Sequence, residues 1–97
     1  MNVKRREYKV NIEFNDIRIT KVIIDPHYEK KHSSSINDEL ILQLVQKIDG
    51  LVLFPESIKP PYSYFSDEIR LNGKLYKMIW LLEDHQIYIG VINTYRR

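Results

Sequence analysis

At 97 residues the chain has room for one domain with a single core. Hydrophobic residues make up 43%, too many for a disordered tail, and no apolar run approaches the roughly 20 residues of a membrane-spanning helix. Cysteine is absent, which excludes disulfides, Cys-ligated zinc and thiol nucleophiles, and the net charge of +2 is compatible with a polyanionic partner without requiring one. The start, MNVKRREYKV, is basic with no apolar run behind it, so no signal peptide, no membrane partner and a cytoplasmic location are expected.

Met1–Arg6 is polar and expected to fray. Tyr8, Val10, Ile12 and Phe14 alternate with Lys9, Asn11 and Glu13, the pattern of a half-buried strand. Asn15-Asp16 suits a tight turn, and β-branched Ile17–Ile24 makes the second arm of a hairpin. Asp25-Pro26 reads as a helix start, with Asp capping free N–H groups and Pro at the first helical position, for a short helix over Pro26–Lys31. Ser33–Ser35 interrupts it. Ser35 then caps a second helix, predicted over residues 36–48, whose stripe is Ile36, Leu40, Ile41, Leu44, Val45 and Ile48, with Gly50 placed to end it. Leu51–Phe54 is a short strand or an apolar connector, and Pro55, Pro60 and Pro61 make residues 55–61 a loop.

The last third is a strand meander. Tyr62–Leu71 and Lys74–Leu82 flank Asn72-Gly73, a strong signal for a two-residue type I′ turn, and Glu83–Gln86 joins Lys74–Leu82 to Ile87–Tyr95. These turns set a register in which Trp80 faces Ile89 and Leu82 faces Ile87. One face collects Phe65, Ile69, Tyr76, Met78, Trp80, Leu82, Ile87, Ile89 and Val91 for packing on the long helix. The other carries Tyr64, Glu68, Arg70, Lys77, Tyr88, Ile92 and Thr94. The fold expected is therefore α+β: a single twisted antiparallel sheet with a short helix and one long amphipathic helix packed on one face.

Chemistry-bearing residues fall in short clusters. His27 and His32 are five apart, where a metal-binding pair on one helical face is usually four apart, so neither a metal site nor another cofactor is expected. Lys30, Lys31 and His32 form a basic knot. It reads either as a solvated helix face or as a phosphate contact, with His32 suited to general acid–base work. Arg70 and Lys77 share the mixed sheet face, where a cation would stabilise a phosphoryl transition state, although Glu68 and Lys77 also suit a cross-strand pair. Tyr62, Tyr64, Tyr88 and Tyr95 are packing residues or base-stacking platforms. Arg96 and Arg97 form either a solubilising end or a phosphate fork. Glycine-rich phosphate loops, GxSxG and HExxH are absent.

The order of elements over residues 25–97, the Lys31-His32 pair ahead of SSSINDELILQLV, and the Arg-bearing final strand IYIGVINTYRR resemble the RelE/BrnT-like bacterial toxins, small ribonuclease-fold proteins. The BrnT-like pattern has Gly where Ser33 stands, and many such toxins carry a further C-terminal helix. The resemblance implies a toxin–antitoxin protein that binds RNA, with a cognate antitoxin-like partner and metal-independent endoribonuclease activity. Its catalytic residues would be His32, Arg70, Lys77, Tyr95 and Arg96, and its RNA-binding residues His27, Lys30, Lys31, Tyr88 and Arg97. The alternatives are a non-catalytic protein-interaction module and a homodimeric structural or regulatory domain joined through the N-terminal hairpin.

Overall fold

Alternation dominates the chain, and the computed structural model, which describes residues 4–97, turns it into one six-stranded sheet. The strands are β1 (Arg6–Phe14), β2 (Ile17–Ile24), β3 (Ser57–Lys59), β4 (Tyr62–Leu71), β5 (Lys74–Glu83) and β6 (Tyr88–Arg96). Between β2 and β3 lie a 3-10 turn, Pro26–Tyr28, which runs into the short helix α1 (Glu29–His32), and then α2 (Asp38–Lys47). Both two-residue turns form with positive φ at each central position: 52° and 62° at Asn15-Asp16, 52° and 77° at Asn72-Gly73. Asn, Asp and Gly tolerate that backbone best, which is why these dipeptides make hairpins. Of the N-terminal stretch expected to fray, Arg6 opens β1, and Met1–Val3 lie outside the described residues.

The expected α+β architecture is not the one that forms. Strands account for 52% of the residues in a curled half-barrel, the two helical segments are only 7 and 10 residues long, and there is no long amphipathic helix. Of the apolar stripe, Ile36, Ile41, Leu44, Val45 and Ile48 are buried and Leu40 is half-buried, but the ends of the stripe are not helical. Asn37, rather than Ser35, is the N-cap, its side chain accepting from Leu40 N at 2.8 Å, while Ile36 is buried ahead of the cap and Ile48 is itself the C-cap. A ten-residue helix is about 15 Å long and a ten-residue strand about 33 Å, so the sheet sets the dimensions.

Nor is the sheet purely antiparallel. The strand order is β1-β2-β6-β5-β4-β3, and β2 runs parallel to β6, with Lys21 opposite Tyr88 and Ile24 opposite Val91. β1 and β3 are the two edges. The end of the β1 edge is covered locally: Glu13 N donates to Asp49 Oδ1, Gly50 N donates to Glu13 O, and the Asn15 side chain bonds Leu53 N and O. Residues 51–54 are thus a tethered connector. Curling brings Phe14 of β1 against Phe65 of β4 and Trp80 of β5, at ring-centroid distances of 5.1 and 5.6 Å. These rings, with Ile12, Ile19, Ile41, Leu44 and Met78, are the fully buried centre. No helix among the described residues is long and apolar enough to cross a membrane.

A polar cluster ties the helical segment to β1. The Asp38 carboxylate, in the first turn of α2, accepts from Arg6 Nε and Nη2, from the Tyr8 hydroxyl and from the Tyr28 hydroxyl, the last at 2.7 Å. Arg6 also bonds Glu29. The Arg6 guanidinium holds the Asp38 carboxyl down at about 2, against burial that acts the other way. Burial, with the bond to Asp38, pushes the Tyr28 hydroxyl up to about 12. Arginine stays protonated throughout, so the carboxylate carries the pH dependence. Because its folded pKa is depressed below 3.8, its contribution is complete above that value and fades as pH falls through about 2. Asp38→Ala is expected to cost roughly 2 kcal/mol at neutral pH, with part of that difference vanishing near pH 2. Urea unfolding of both proteins across that range measures it, and a constant difference would refute the assignment.

Candidate functional site

β2 ends opposite Val91, but β6 continues for five more residues. The chain leaving β2 is held at this point, since Asp25 N donates to Val91 O and Asp25 Oδ1 accepts from His27 N at 2.9 Å. It is therefore laid beside the second half of β6. His32 stacks on Tyr95, with ring centroids 5.5 Å apart and planes inclined by 29°. His27, Lys31, His32, Asn93 and Tyr95 together line a shallow hollow of about 300 Å³.

A bulge aims the sheet residues. Asn93 pairs with Ile79, but Val91 pairs with Trp80, which leaves Ile92 as an extra residue in β6. Without it, Asn93 and Tyr95 would share the face of Val91 and point into the core. With it, Thr94 turns inward and is completely buried, while Asn93 and Tyr95 turn outward. The expected outward Thr94 is corrected for this reason. The turn before β6 also differs from the expected register: Leu82 faces Ile89 rather than Ile87, and Ile87 is exposed in the loop. That slip is two residues, so it preserves the faces of Tyr88, Ile89 and Gly90.

The site residues expected from sequence divide into groups. Tyr95 and Lys77 are cross-strand partners on the outer face, and Glu68 follows opposite Lys77 on β4. Among the described residues Lys77 has no ion pair; Glu68 takes Arg97 instead, at 2.8 Å. Arg70, opposite Leu75, is an exposed outer-face neighbour diagonal to Lys77. His27 and Lys31 join His32 at the hollow, and Lys30 lines an adjoining one with His27. Arg96 is opposite the buried Tyr76, exposed but on the other face of β6 from Tyr95. Tyr88 lies at the far end of β6, about 20 Å along the strand. It bonds Glu83, and burial, with that acceptor, raises its hydroxyl to about 12.

Two features escaped the sequence reading. One is the Arg6–Asp38 cluster, which takes Arg6 and Glu29 out of the local charge balance and leaves Lys31 and the histidines beside Tyr95. The other is a cleft of about 430 Å³ on the outer face, walled by Tyr62, Tyr64 and Tyr88 over Gly90. The tyrosines were visible, but their convergence depends on the pairing of β4, β5 and β6. Among the described residues no group of three or more His, Asp or Glu side chains is arranged to hold a metal ion. Comparison of the chain with protein-family models, curated proteins and solved structures finds no match.

The bulge has an energetic consequence. Thr94 Oγ1 is buried with no hydrogen-bond partner among the described residues. An unsatisfied buried hydroxyl costs about 1–3 kcal/mol. Thr94→Val keeps the shape and removes that group, so it is expected to raise unfolding stability by about 1 kcal/mol. A thermal melt showing a lower midpoint would count against an unpartnered hydroxyl.

Proposed function

We propose that this is a small RNA-binding protein of toxin–antitoxin type, acting in the cytoplasm as an endoribonuclease that needs no metal. The observation that carries the reading is the His32–Tyr95 stack inside a basic hollow, with Lys77 on the next strand free of any carboxylate partner among the described residues. A half-buried imidazole beside cations, rather than beside Asp or Glu, suits contact with a phosphodiester. The RelE/BrnT-like resemblance of the Lys31-His32 pair and the final strand points the same way.

The reaction is transfer of the phosphoryl group to the adjacent ribose oxygen. Neutral His32 takes the proton of the 2′-OH, and the new O2′–P bond forms. The P–O5′ bond breaks, and the leaving oxygen takes a proton from Tyr95 or protonated His27. The products are a 2′,3′-cyclic phosphate and a 5′-hydroxyl. Lys77 and Arg70 sit on the outer face where they can offset charge on the phosphorane, and Lys31 where it can hold a flanking phosphate. Arg96, on the other face of β6, has no part in this geometry.

Incubated with single-stranded RNA in EDTA, the protein is expected to give cyclic-phosphate ends. His32→Ala should slow this by about 10²-fold or more, as loss of a general base does. Equal cleavage by the variant would remove His32 from the mechanism, and binding without cleavage would leave only the RNA-binding part of the reading.

A second reading has its own observation. Val52, Phe54 and Ile58 are 67%, 97% and 64% exposed around the short edge strand β3. Solvent-exposed apolar side chains beside an open edge suit a non-catalytic protein-interaction module. That reading would replace the first if RNA is neither bound nor cut while light scattering gives a mass above one chain that Phe54→Ser reduces.

A further inference from the structure

The hollow at His32 does not stand alone on the outer face. It shares His27 with the hollow beside it, whose lining sets Lys4, Arg6 and Lys30 against Asp25 and Glu29. That hollow in turn shares Asp25 and Ile92 with the tyrosine cleft. The three hollows adjoin one another along β6 and span about 20 Å from Tyr95 to Tyr88, the reach of a short run of nucleotides.

The two ends of this row differ in chemistry. The His32 end has His27 and Lys31 and lacks a carboxylate in its lining. The cleft has Arg5, Glu7 and Asp25 in its lining, with Arg5 near Asp25 at 3.8 Å and Lys21 paired to Glu7 at 3.2 Å, and Glu83 accepts from the Tyr88 hydroxyl. A phosphate is attracted to the first end, while the second offers paired charges and aromatic rings. The cleft is also shaped for something flat. Gly90 forms its floor, and a Cβ there would come within 3.0 Å of Leu81 Cδ1, so a side chain at this position would crowd the floor. The Tyr62 and Tyr64 rings stand 6.3 Å apart, inclined by 53°, on one wall. Aromatic faces stack on any base, and carboxylates accept hydrogen bonds from exocyclic amino groups.

We propose that the Tyr62–Tyr64–Tyr88 cleft is a nucleobase subsite. It takes an unpaired, amino-bearing base (adenine, cytosine or guanine, in preference to uracil) from the same RNA strand whose phosphates meet His27, Lys31 and His32. The inference rests on the RNA-binding reading above and adds to it the position and kind of base that would be recognised. Tyr64 is a binding residue for that base. Gly90 is a positioning residue that keeps the floor open.

The test uses the full chain and 2′-O-methyl oligonucleotides, which cannot be cleaved, with binding read by fluorescence anisotropy. Replacing one nucleotide after another by an abasic unit is expected to weaken binding about ten-fold at a single position offset from the phosphates held at Lys31. Adenine or cytosine there should bind better than uracil. Tyr64→Ala should cause a similar loss and should make the abasic replacement at that position nearly neutral, a coupling that simple destabilisation would not produce. Gly90→Val, followed by a thermal melt to check folding, should weaken the same contact. If Lys31→Glu weakens binding while Tyr64→Ala and the abasic scan have no effect, the subsite is overturned and RNA binding at the basic hollow stands. If wild-type protein binds no oligonucleotide, the RNA-binding reading falls and the subsite with it.

Discussion

The parallel contact between β2 and β6 is what the rest of the molecule depends on. It joins an N-terminal hairpin to a C-terminal meander through four residue pairs, Lys21–Ile24 against Tyr88–Val91. Parallel neighbours cannot be joined by a tight turn, so the intervening chain must cross over, and the helical segment and β3–β5 all lie in that crossover. Because β2 stops at Val91, the crossover begins beside the unfinished half of β6. That is the reason His27, Lys31 and His32 arrive next to Asn93 and Tyr95 rather than projecting into solvent elsewhere.

Electrostatics then sorts the surface. Arg6 is taken up by Asp38 and Glu29, and Arg97 by Glu68. The exposed ion pairs add little stability individually. Their larger effect is on distribution: they occupy carboxylates that would otherwise neutralise the basic hollow, and they leave Lys31, Lys77 and the histidines available. At the other end of β6, the Tyr88 hydroxyl donates to Glu83, and Tyr62, Tyr64 and Tyr88 line the cleft. One strand thus carries a basic end and an aromatic end on the same face.

The Ile92 bulge and the Asp38 cluster fix how this face is held. The bulge changes the parity of β6, which turns Tyr95 outward and leaves the Thr94 hydroxyl unpartnered in the core. Asp38 fastens the start of α2 to β1 and to Tyr28, so the segment carrying His27 and His32 is anchored at both ends.

The sequence by itself determined the elements whose cause is local. Period-two alternation gave β1 and the meander strands, and Asn72-Gly73 gave the register of β4 against β5, because each depends on residues a few positions apart. It also singled out His32 and Tyr95, though not as neighbours. The tertiary structure alone decided the parallel β2–β6 pair, the outward turn of Tyr95, the convergence of three tyrosines over Gly90 and the dominance of sheet over helix. Each of these hangs on contacts between distant segments. A helical stripe such as Ile36–Ile48 records which side chains are buried, and only packing against the curled sheet settles how many of them a helix carries. In the same way, one unpaired residue at Ile92 reverses every side chain beyond it, and no local pattern in INTYRR marks that reversal.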